Sequence, residues 1–124
     1  MKLSEFIPIS GIYKIINVKN NKIYIGKSKN IHTRWGQHIK ELIKGKHSNK
    51  NLLLDFQKFG LDYFEVEVLE ICDEKELSIK EAEWAIKLFQ EGNILYNSFL
   101  DKRGLIGLYN KFYALSGSSL INFI

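Results

Sequence analysis

The chain has 124 residues, a length that suits one domain and is too short for two ordinary domains. Its residues are 45% hydrophobic, which is enough for a buried core. Its single cysteine, Cys72, excludes an intramolecular disulfide and predicts a reducing compartment. No stretch has the length and apolarity expected of a signal peptide or of a membrane-spanning helix.

The net charge of +4 is distributed unevenly along the chain. Residues 1–60 carry twelve Lys or Arg and three acidic residues, whereas residues 61–124 carry six and eleven, so the first part is basic and the second acidic. The cations surround the predicted first strands and the helix after them, which indicates an anionic polymer as partner. For any single lysine, a solvated surface position is the simpler explanation.

Two tripeptides, Gly11-Ile12-Tyr13 and Tyr24-Ile25-Gly26, mark the first two predicted strands, at residues 9–17 and 22–27. The connection between them is polar and has Asn20-Asn21 at its centre, which is typical of a β-hairpin. Neighbouring antiparallel strands can bring two phenols side by side, where they are candidates for proton transfer and phosphate binding. The glycines predict a close approach to the strand backbone by substrate or by the next helix.

Helical periodicity begins after the second strand. Apolar residues recur at helical spacing over residues 31–44, with Asn30 in the N-cap position and Gly45 at the C-terminal end. A second helix is predicted over residues 52–59 and is closed by Gly60. A polar turn over residues 47–50 joins the two helices.

Strict alternation over residues 63–71 predicts a third strand with one half-exposed acidic face. Asp73 is expected to cap a third helix over residues 74–90, and residues 94–97 are expected to form a short extended piece. The order ββααβα predicts an α+β fold in which a three-stranded antiparallel sheet is flanked by helices.

The strand and helix patterns of the domain end near residue 100. Residues 1–100 are predicted to form the domain, and residues 101–124 a C-terminal tail with an apolar helical stripe and few cations. Such a tail either packs on the domain or mediates contacts with another chain. A self-associating structural protein built on this tail is therefore one alternative interpretation.

Glu81 is in line with Leu77, Trp84 and Leu88 on the predicted third helix, so its carboxylate is expected on the core-facing side. A core-facing carboxylate is costly unless it is paired or bound to a cation. One carboxylate completed by substrate phosphate and water suits Mg²⁺ or Mn²⁺. The alternative is that Glu81 is a solvated glutamate at the edge of the helix, as the nearby Glu83 is expected to be.

Arg34, two histidines and a lysine are further candidates. A guanidinium stays charged and binds phosphate oxygens in bidentate fashion, and Arg34 shares a helix stripe with His38. A neutral imidazole can move a proton near pH 7, which makes His38 and His47 candidates. A phenol with an ordinary pKa of about 10 is a poor base at neutral pH, and cations near a tyrosine, such as Lys27 or the histidines, would be needed to lower its pKa. Taken alone, Arg34 is equally explained as a surface arginine and Tyr13 as an ordinary strand aromatic, and a lone histidine is more often structural.

Further motif residues follow the two tripeptides along the chain. They are Lys27-Ser28-Lys29-Asn30-Ile31, Arg34 and His38, His47-Ser48-Asn49, Glu81 with Trp84 three residues later, and Tyr96-Asn97. In this order and spacing the chain resembles the GIY-YIG nucleases over residues 8–99. The arrangement of the two histidines and the glutamate is more similar to the homing endonucleases of that family than to its repair nucleases.

The resemblance implies a metal-dependent endonuclease that hydrolyses phosphodiester bonds in DNA with Mg²⁺ or Mn²⁺. It implies Tyr13 as general base or as the group that positions the water, and Glu81, in preference to Glu83, as the metal ligand. The residues implied as catalytic are Tyr13, Tyr24, Lys27, Arg34, His38 and Glu81. His47 and Asn97 are implied as substrate-binding residues, and Asn97 also as a residue that holds the site by hydrogen bonds.

The main alternative is a non-catalytic nucleic-acid-binding module that has kept the fold. An eroded motif would favour that alternative, and the motif residues Tyr13, Tyr24, Arg34, Glu81 and Asn97 are all present. A stand-alone homing-type enzyme, a nuclease of low specificity and a fragment of a longer protein all remain open. The expected location is the cytoplasm or another reducing compartment with nucleic acid, a phage-infected cell and an organelle included.

Overall fold

The computed structural model describes residues 8–97 of the chain, and the predicted tail over residues 101–124 lies outside them. The described elements follow the order ββααβα, as the sequence predicts. No helix in the described range is long and apolar enough to cross a bilayer. The elements are β1 Gly11–Asn17, β2 Ile23–Ser28, α1 Ile31–Ile43, α2 Lys50–Phe59, β3 Phe64–Ile71 and α3 Leu77–Gln90, with single 3₁₀ turns at Leu61–Tyr63 and Glu74–Glu76.

The three strands form one antiparallel sheet in the order β2-β1-β3, which confirms the predicted α+β fold. In the hairpin, Tyr13 pairs with Gly26 and Ile15 pairs with Tyr24, so the two tyrosines lie diagonally across neighbouring strands. Asn21 makes the tight connection possible, because its φ of 63° is in the left-handed region where asparagine is enriched.

Alternating residues of β1 face two separate layers of the core. Ile12 packs against α3, in a cluster completed by Ile23, Ile25, Leu77, Ala85, Ile86, Leu88 and Leu95. Tyr13 and Ile15 pack against α1 and α2, in a cluster completed by Ile31, Leu42, Leu52, Leu53, Phe64 and Tyr96. The two-residue period of the strand therefore places α3 on one face of the sheet and α1 and α2 on the other.

Two predicted helix starts have different outcomes. Asn30 caps α1, because its Oδ1 accepts a hydrogen bond from the backbone N–H of Thr33 at 3.2 Å. Asp73 makes no side-chain capping hydrogen bond, and the 3₁₀ turn Glu74–Glu76 separates it from α3. The prediction for Asp73 was wrong because a helical sequence pattern does not distinguish a 3₁₀ turn from the first turn of an α-helix.

The two tripeptide glycines make room for contacts within the sheet, in place of the predicted approach by substrate or by the next helix. A Cβ on Gly26 would overlap the ring and hydroxyl of Tyr13. A Cβ on Gly11 would overlap the backbone carbonyl of Glu70 in β3, beside a register shift in β1. Gly26 therefore supplies the space in which the phenol of Tyr13 crosses the neighbouring strand.

Gly26→Ala is expected to destabilise the protein by about 1–3 kcal/mol, because the added methyl group displaces the Tyr13 ring in a packed core. Gly36→Ala is the matched control: Gly36 lies in α1 with open space where a Cβ would be, so the same change is expected to stabilise the protein by about 0.5–1 kcal/mol. Urea unfolding measures both changes. Equal effects of the two substitutions would contradict the close contact between Gly26 and Tyr13.

Candidate active site

Two phenol rings meet one imidazole at the centre of the candidate site. The rings of Tyr13 and Tyr24 approach the ring of His38 edge-on, with centroid separations of 5.8 and 5.3 Å. Tyr13 extends from β1, Tyr24 from the edge strand β2, and His38 from the buried side of α1. The structure therefore brings the two predicted phenols together and packs His38 against both.

A chain of short hydrogen bonds runs from Tyr13 into the core. The Tyr13 hydroxyl oxygen lies 2.7 Å from Nε2 of His38, and Nδ1 of His38 lies 2.7 Å from Nε2 of His47. Nδ1 of His47 accepts a hydrogen bond from the backbone N–H of Asn49 at 3.0 Å. Both histidine side chains are fully buried, and all four of their ring nitrogens are satisfied inside the protein.

The two histidines lie deeper in the fold than Arg34. His38 belongs to the buried face of α1 together with Ile31 and Leu42, whereas Arg34, one turn earlier, is partly exposed. His47 lies behind His38 and does not reach the surface, so a direct contact with substrate does not fit its geometry. Its polar neighbours in the sequence gave no sign of this burial.

Arg34 is held only loosely by its own helix. Its Nη1 lies 3.3 Å from Oε1 of Gln37 and 3.4 Å from Oε1 of Glu41, and both distances are long for hydrogen bonds. A partly exposed ion pair of this kind contributes about 0–1 kcal/mol, so a phosphate can replace Glu41 with little loss. Glu41 was not identified from the sequence, although its spacing of seven residues from Arg34 places it on the same face of the helix.

Glu81 faces the site from α3, on the other side of the edge strand. Its side chain is 25% exposed, against 42% for Glu83, which lies 3.7 Å from Lys80. Lys27, near the end of β2, donates a hydrogen bond to Ser78 at 2.9 Å and lies 3.9 Å from the Glu81 carboxylate. The structure thus distinguishes the two glutamates in the predicted sense, since Glu81 is the more buried one.

Burial decides the acidity of the two phenols. It is the main reason that the pKa of Tyr13 is raised well above its ordinary value; the Tyr24 phenol raises that pKa further, and Arg34 lowers it only in part. Burial also raises the pKa of Tyr24, again against the effect of Arg34. The lowered pKa that a tyrosine base would need is therefore not found at Tyr13, because burial outweighs the lowering effect of Arg34 and the amine of Lys27 lies beside Glu81.

Asn97 fixes the backbone of the edge strand next to Tyr24. Its Oδ1 accepts a hydrogen bond from the N–H of Ile25 at 2.9 Å, and its Nδ2 donates to the carbonyl of Ile25 at 2.8 Å. The side chain is buried and both of its polar atoms are used in this way. This geometry fits a residue that holds the site in shape, and it does not fit the predicted direct contact with substrate.

A polar cluster at the other end of the hairpin was not identified from the sequence. The Tyr96 hydroxyl donates a hydrogen bond to Asp55 at 2.6 Å, and Asn17 donates to the Tyr96 oxygen at 3.1 Å. Asn20, in the hairpin turn, also donates to Asp55, at 2.9 Å. The cluster joins β1, its turn and α2, and because its members are far apart in the sequence, no local pattern reveals it.

Two groups among the described residues can be compared with the needs of a metal ion. At Glu81, burial raises the pKa of the carboxyl and Lys27 lowers it, and a single half-buried carboxylate completed by water and phosphate fits Mg²⁺ or Mn²⁺. The ligand atoms of His38, Glu41 and His47 also lie within 4.8 Å of one another. Their ring nitrogens are already hydrogen-bonded, so a metal there would break the chain to Tyr13.

A sequence profile described as the GIY-YIG catalytic domain matches residues 9–92, which contain both tyrosines, Arg34, both buried histidines and Glu81. The chain belongs to the GIY-YIG family. The catalytic domain of homing endonuclease I-TevI has a similar fold, with a TM-score of 0.64 and 37% identity over 72% of this chain and 97% of that one. A mutant of the catalytic domain of intron endonuclease I-TevI gives a TM-score of 0.62 and 37% identity over 68% and 89%.

Two curated relatives are much longer than the segment that matches this chain. Intron-associated endonuclease 1 of Enterobacteria phage T4 is 46% identical over 79 residues, which are 63% of this chain and 32% of that protein. Probable intron-encoded endonuclease 1 of Neurospora crassa is 43% identical over 54 residues, which are 44% of this chain and 16% of that protein. The chain thus spans about a third of the phage relative.

The buried histidines predict a specific dependence of stability on pH. Burial, together with the charge of Arg34, lowers the pKa of His38 from 6.5 to about 3. Below pH 6.5 the unfolded chain binds a proton that the folded protein excludes, so stability falls as the pH drops from 6.5 toward 3. The expected slope from His38 is about 1.4 kcal/mol per pH unit.

Urea unfolding of the parent protein and of His38→Gln, between about pH 7 and pH 5, isolates this contribution. The difference in stability between the two proteins should shrink as the pH falls, because only the parent has the His38 imidazole to keep neutral. The buried His47 and the carboxylates are common to both proteins, and their contributions therefore cancel. A difference that does not change with pH would contradict a buried, neutral His38.

Proposed function

We propose that this chain is a metal-dependent endonuclease that hydrolyses phosphodiester bonds in DNA, of the homing type named among its relatives. The observation that carries the proposal is the convergence of four functional groups around the edge strand β2. They are the phenols of Tyr13 and Tyr24, the guanidinium of Arg34 and the carboxylate of Glu81. Besides burial, the charges of Arg34 and Glu81 both act on the pKa of Tyr24, which places them in one electrostatic environment.

Arg34 is the phosphate-binding group in this proposal. It is partly exposed, and its two contacts on α1 are long enough to be exchanged for a phosphate. The guanidinium can then donate two parallel hydrogen bonds to non-bridging oxygens and neutralise the charge that develops on them. Tyr24 is half-buried on the edge strand beside His38, and its hydroxyl is the second donor to the same phosphate.

Tyr13 positions the attacking water. Its raised pKa keeps it a phenol at neutral pH and its side chain is only 1% exposed, so it would orient by hydrogen bonding a water that enters the site with DNA, and would not act as a phenolate base. Gly26 leaves room for its ring, and His38 holds its oxygen at 2.7 Å, which together fix the direction of the hydroxyl. His38 acts through Tyr13 and is therefore a positioning residue.

Glu81 would hold Mg²⁺ or Mn²⁺. When bound, such an ion stabilises the charge of the phosphate and of the leaving oxygen as a Lewis acid. Partial burial raises the pKa of Glu81, and a divalent cation beside the carboxylate favours its charged form. The amine of Lys27 lies 3.9 Å from the Glu81 carboxylate. Its hydrogen bond to Ser78 holds the positive charge of Lys27 close to Glu81.

The basic surface that continues from Arg34 suits the backbone of DNA. Lys40, Lys44 and Lys46 are exposed at the end of α1 and in the loop after it. Contacts from such cations to phosphates give affinity without sequence information, so they hold DNA near the site and do not select a sequence. The proposed location is a compartment that contains nucleic acid, and a reducing one because the only cysteine forms no intramolecular disulfide.

A non-catalytic DNA-binding module on the same fold is the second candidate. The raised pKa of Tyr13 favours it, since the free protein then has no strong base at the site. The half-buried carboxylate of Glu81 favours the nuclease instead, because a DNA-binding surface gains nothing from an anion that faces the phosphate. The two candidates therefore differ in the role that they give to Glu81.

Plasmid nicking with Glu81→Ala and Glu83→Ala tests the proposed function. The parent protein is expected to convert supercoiled DNA into open circles only with Mg²⁺ or Mn²⁺. Glu81→Ala should reduce the rate at least about a hundredfold, because it removes the metal ligand. Glu83→Ala is the matched control on the same helix and should cut at the parental rate, since Glu83 is paired with Lys80.

Two outcomes would contradict this assignment. Cleavage by Glu81→Ala at the parental rate would show that another group holds the metal or that none is needed. A folded parent protein that binds DNA but cuts no member of a varied substrate panel, with either metal, would favour the binding module.

A further inference from the structure

We propose that the hydrogen bonds from Asn49 through His47 and His38 to Tyr13 all point in one direction, toward the Tyr13 oxygen. His38 then donates a hydrogen bond to Tyr13 and does not accept its proton. His47 is a positioning residue that fixes the tautomer of His38. The consequence for cleavage rests on the proposed function, whereas the direction of the hydrogen bonds rests on the structure alone.

The direction of the hydrogen bonds is set by the backbone N–H of Asn49, because it is the one group in the series that can donate but not accept. A backbone N–H only donates, and that of Asn49 lies 3.0 Å from Nδ1 of His47, so this nitrogen is unprotonated. A neutral imidazole carries one proton, which in His47 must then be on Nε2 and must point at Nδ1 of His38 across 2.7 Å. Nδ1 of His38 is therefore the acceptor, and the proton of His38 lies on Nε2, facing Tyr13 at 2.7 Å.

The environment keeps both imidazoles neutral. Their side chains are fully buried, and burial lowers the pKa of each; at His47, Glu41 and a hydrogen bond with the Asn49 backbone raise the pKa but do not outweigh burial. Arg34 adds positive charge near both rings and lowers the pKa in the same sense. A second proton on His38 would also place its Nδ1–H against the Nε2–H of His47, so the hydrogen-bond geometry excludes the cation independently.

The opposite direction would leave two donors facing each other. For His38 to take the proton of Tyr13, its Nε2 must be unprotonated and its Nδ1 protonated. His47 would then accept on Nε2 and carry its own proton on Nδ1, opposite the N–H of Asn49. Two N–H groups 3.0 Å apart, beside a fully buried side chain and with no acceptor between them, are unfavourable.

In this arrangement His38 does not accept the proton of the Tyr13 hydroxyl. Tyr24, Arg34 and Glu81 are the other side chains that act on this hydroxyl, so the proposal directs its proton to their side, where it can be donated to water or to a phosphate oxygen. If Tyr13 loses this proton during the reaction, the N–H of His38 stabilises the phenolate. His38 thus supports the oxygen of Tyr13 and does not relay its proton into the core.

Nitrogen-15 NMR of the histidine side chains tests the direction without a cleavage assay, so its result is independent of the proposed function. With signals assigned through His38→Gln, His47→Gln and His32→Gln, we expect both His38 and His47 to carry a proton on Nε2 and none on Nδ1 at neutral pH. A protonated Nδ1 on either buried ring, or a doubly protonated ring, would overturn the proposal.

Two substitutions of Asn49 isolate its backbone N–H. Asn49→Ala and Asn49→Pro both remove the side chain that caps α2, but only proline removes the N–H, at a position whose φ of −86° lies close to the proline range. Asn49→Ala should keep the tautomers of the parent protein. Asn49→Pro should give mixed tautomers of His47 and His38, and unchanged tautomers in Asn49→Pro would show that another group sets the direction.

Two substitutions of His47 test its role in cleavage. Glutamine offers an N–H donor at a reach similar to that of Nε2, whereas leucine offers none. We expect His47→Leu to lower kcat roughly ten- to a hundredfold with little change in KM, and His47→Gln to keep most of the activity. Equal kcat values for the parent and both variants would overturn the positioning role. If His47→Leu fails to fold, His47→Gln decides: a loss of kcat as large as that expected for leucine, in a folded protein, would contradict the role.

Discussion

The geometry of the site depends on the contact between Tyr13 and Gly26. The phenol lies across the backbone of the edge strand, in the space that a Cβ would occupy, and this places its hydroxyl 2.7 Å from His38. The same position buries the ring and raises its pKa, so the contact that orients the hydroxyl also keeps it protonated. In the free protein, the contact that fixes the direction of the Tyr13 hydroxyl therefore also prevents the hydroxyl from losing its proton at neutral pH.

The edge strand β2 organises the groups around Tyr13. Tyr24 packs on the face that carries α1 and α2, whereas Lys27 contacts Ser78 of α3 on the other side. Residues from helices on opposite faces of the sheet can thus meet around one edge. Asn97 holds this edge by pairing with both backbone groups of Ile25, so the strand is fixed where the site requires it.

Local sequence patterns correctly predicted the features that interactions between residues close in the sequence determine. The order ββααβα, the Asn30 cap and the more buried state of Glu81 follow from periodicity and capping chemistry. The burial of His38 and His47 does not, because a hydrogen-bond chain across three segments satisfies polar groups that composition would place at the surface. The direction of the Tyr13 pKa was missed for a related reason, since charges are visible in a sequence and desolvation is not.

DNA cleavage by Tyr13→Phe is the most direct test of a site centred on Tyr13. The change removes one oxygen atom and leaves the ring over Gly26, so the fold and the DNA affinity should persist, with a loss of about 1–3 kcal/mol in stability from the unpaired N–H of His38. We predict that cleavage with Mg²⁺ or Mn²⁺ falls at least about a hundredfold. Cleavage at the parental rate by a folded Tyr13→Phe protein would contradict the assignment.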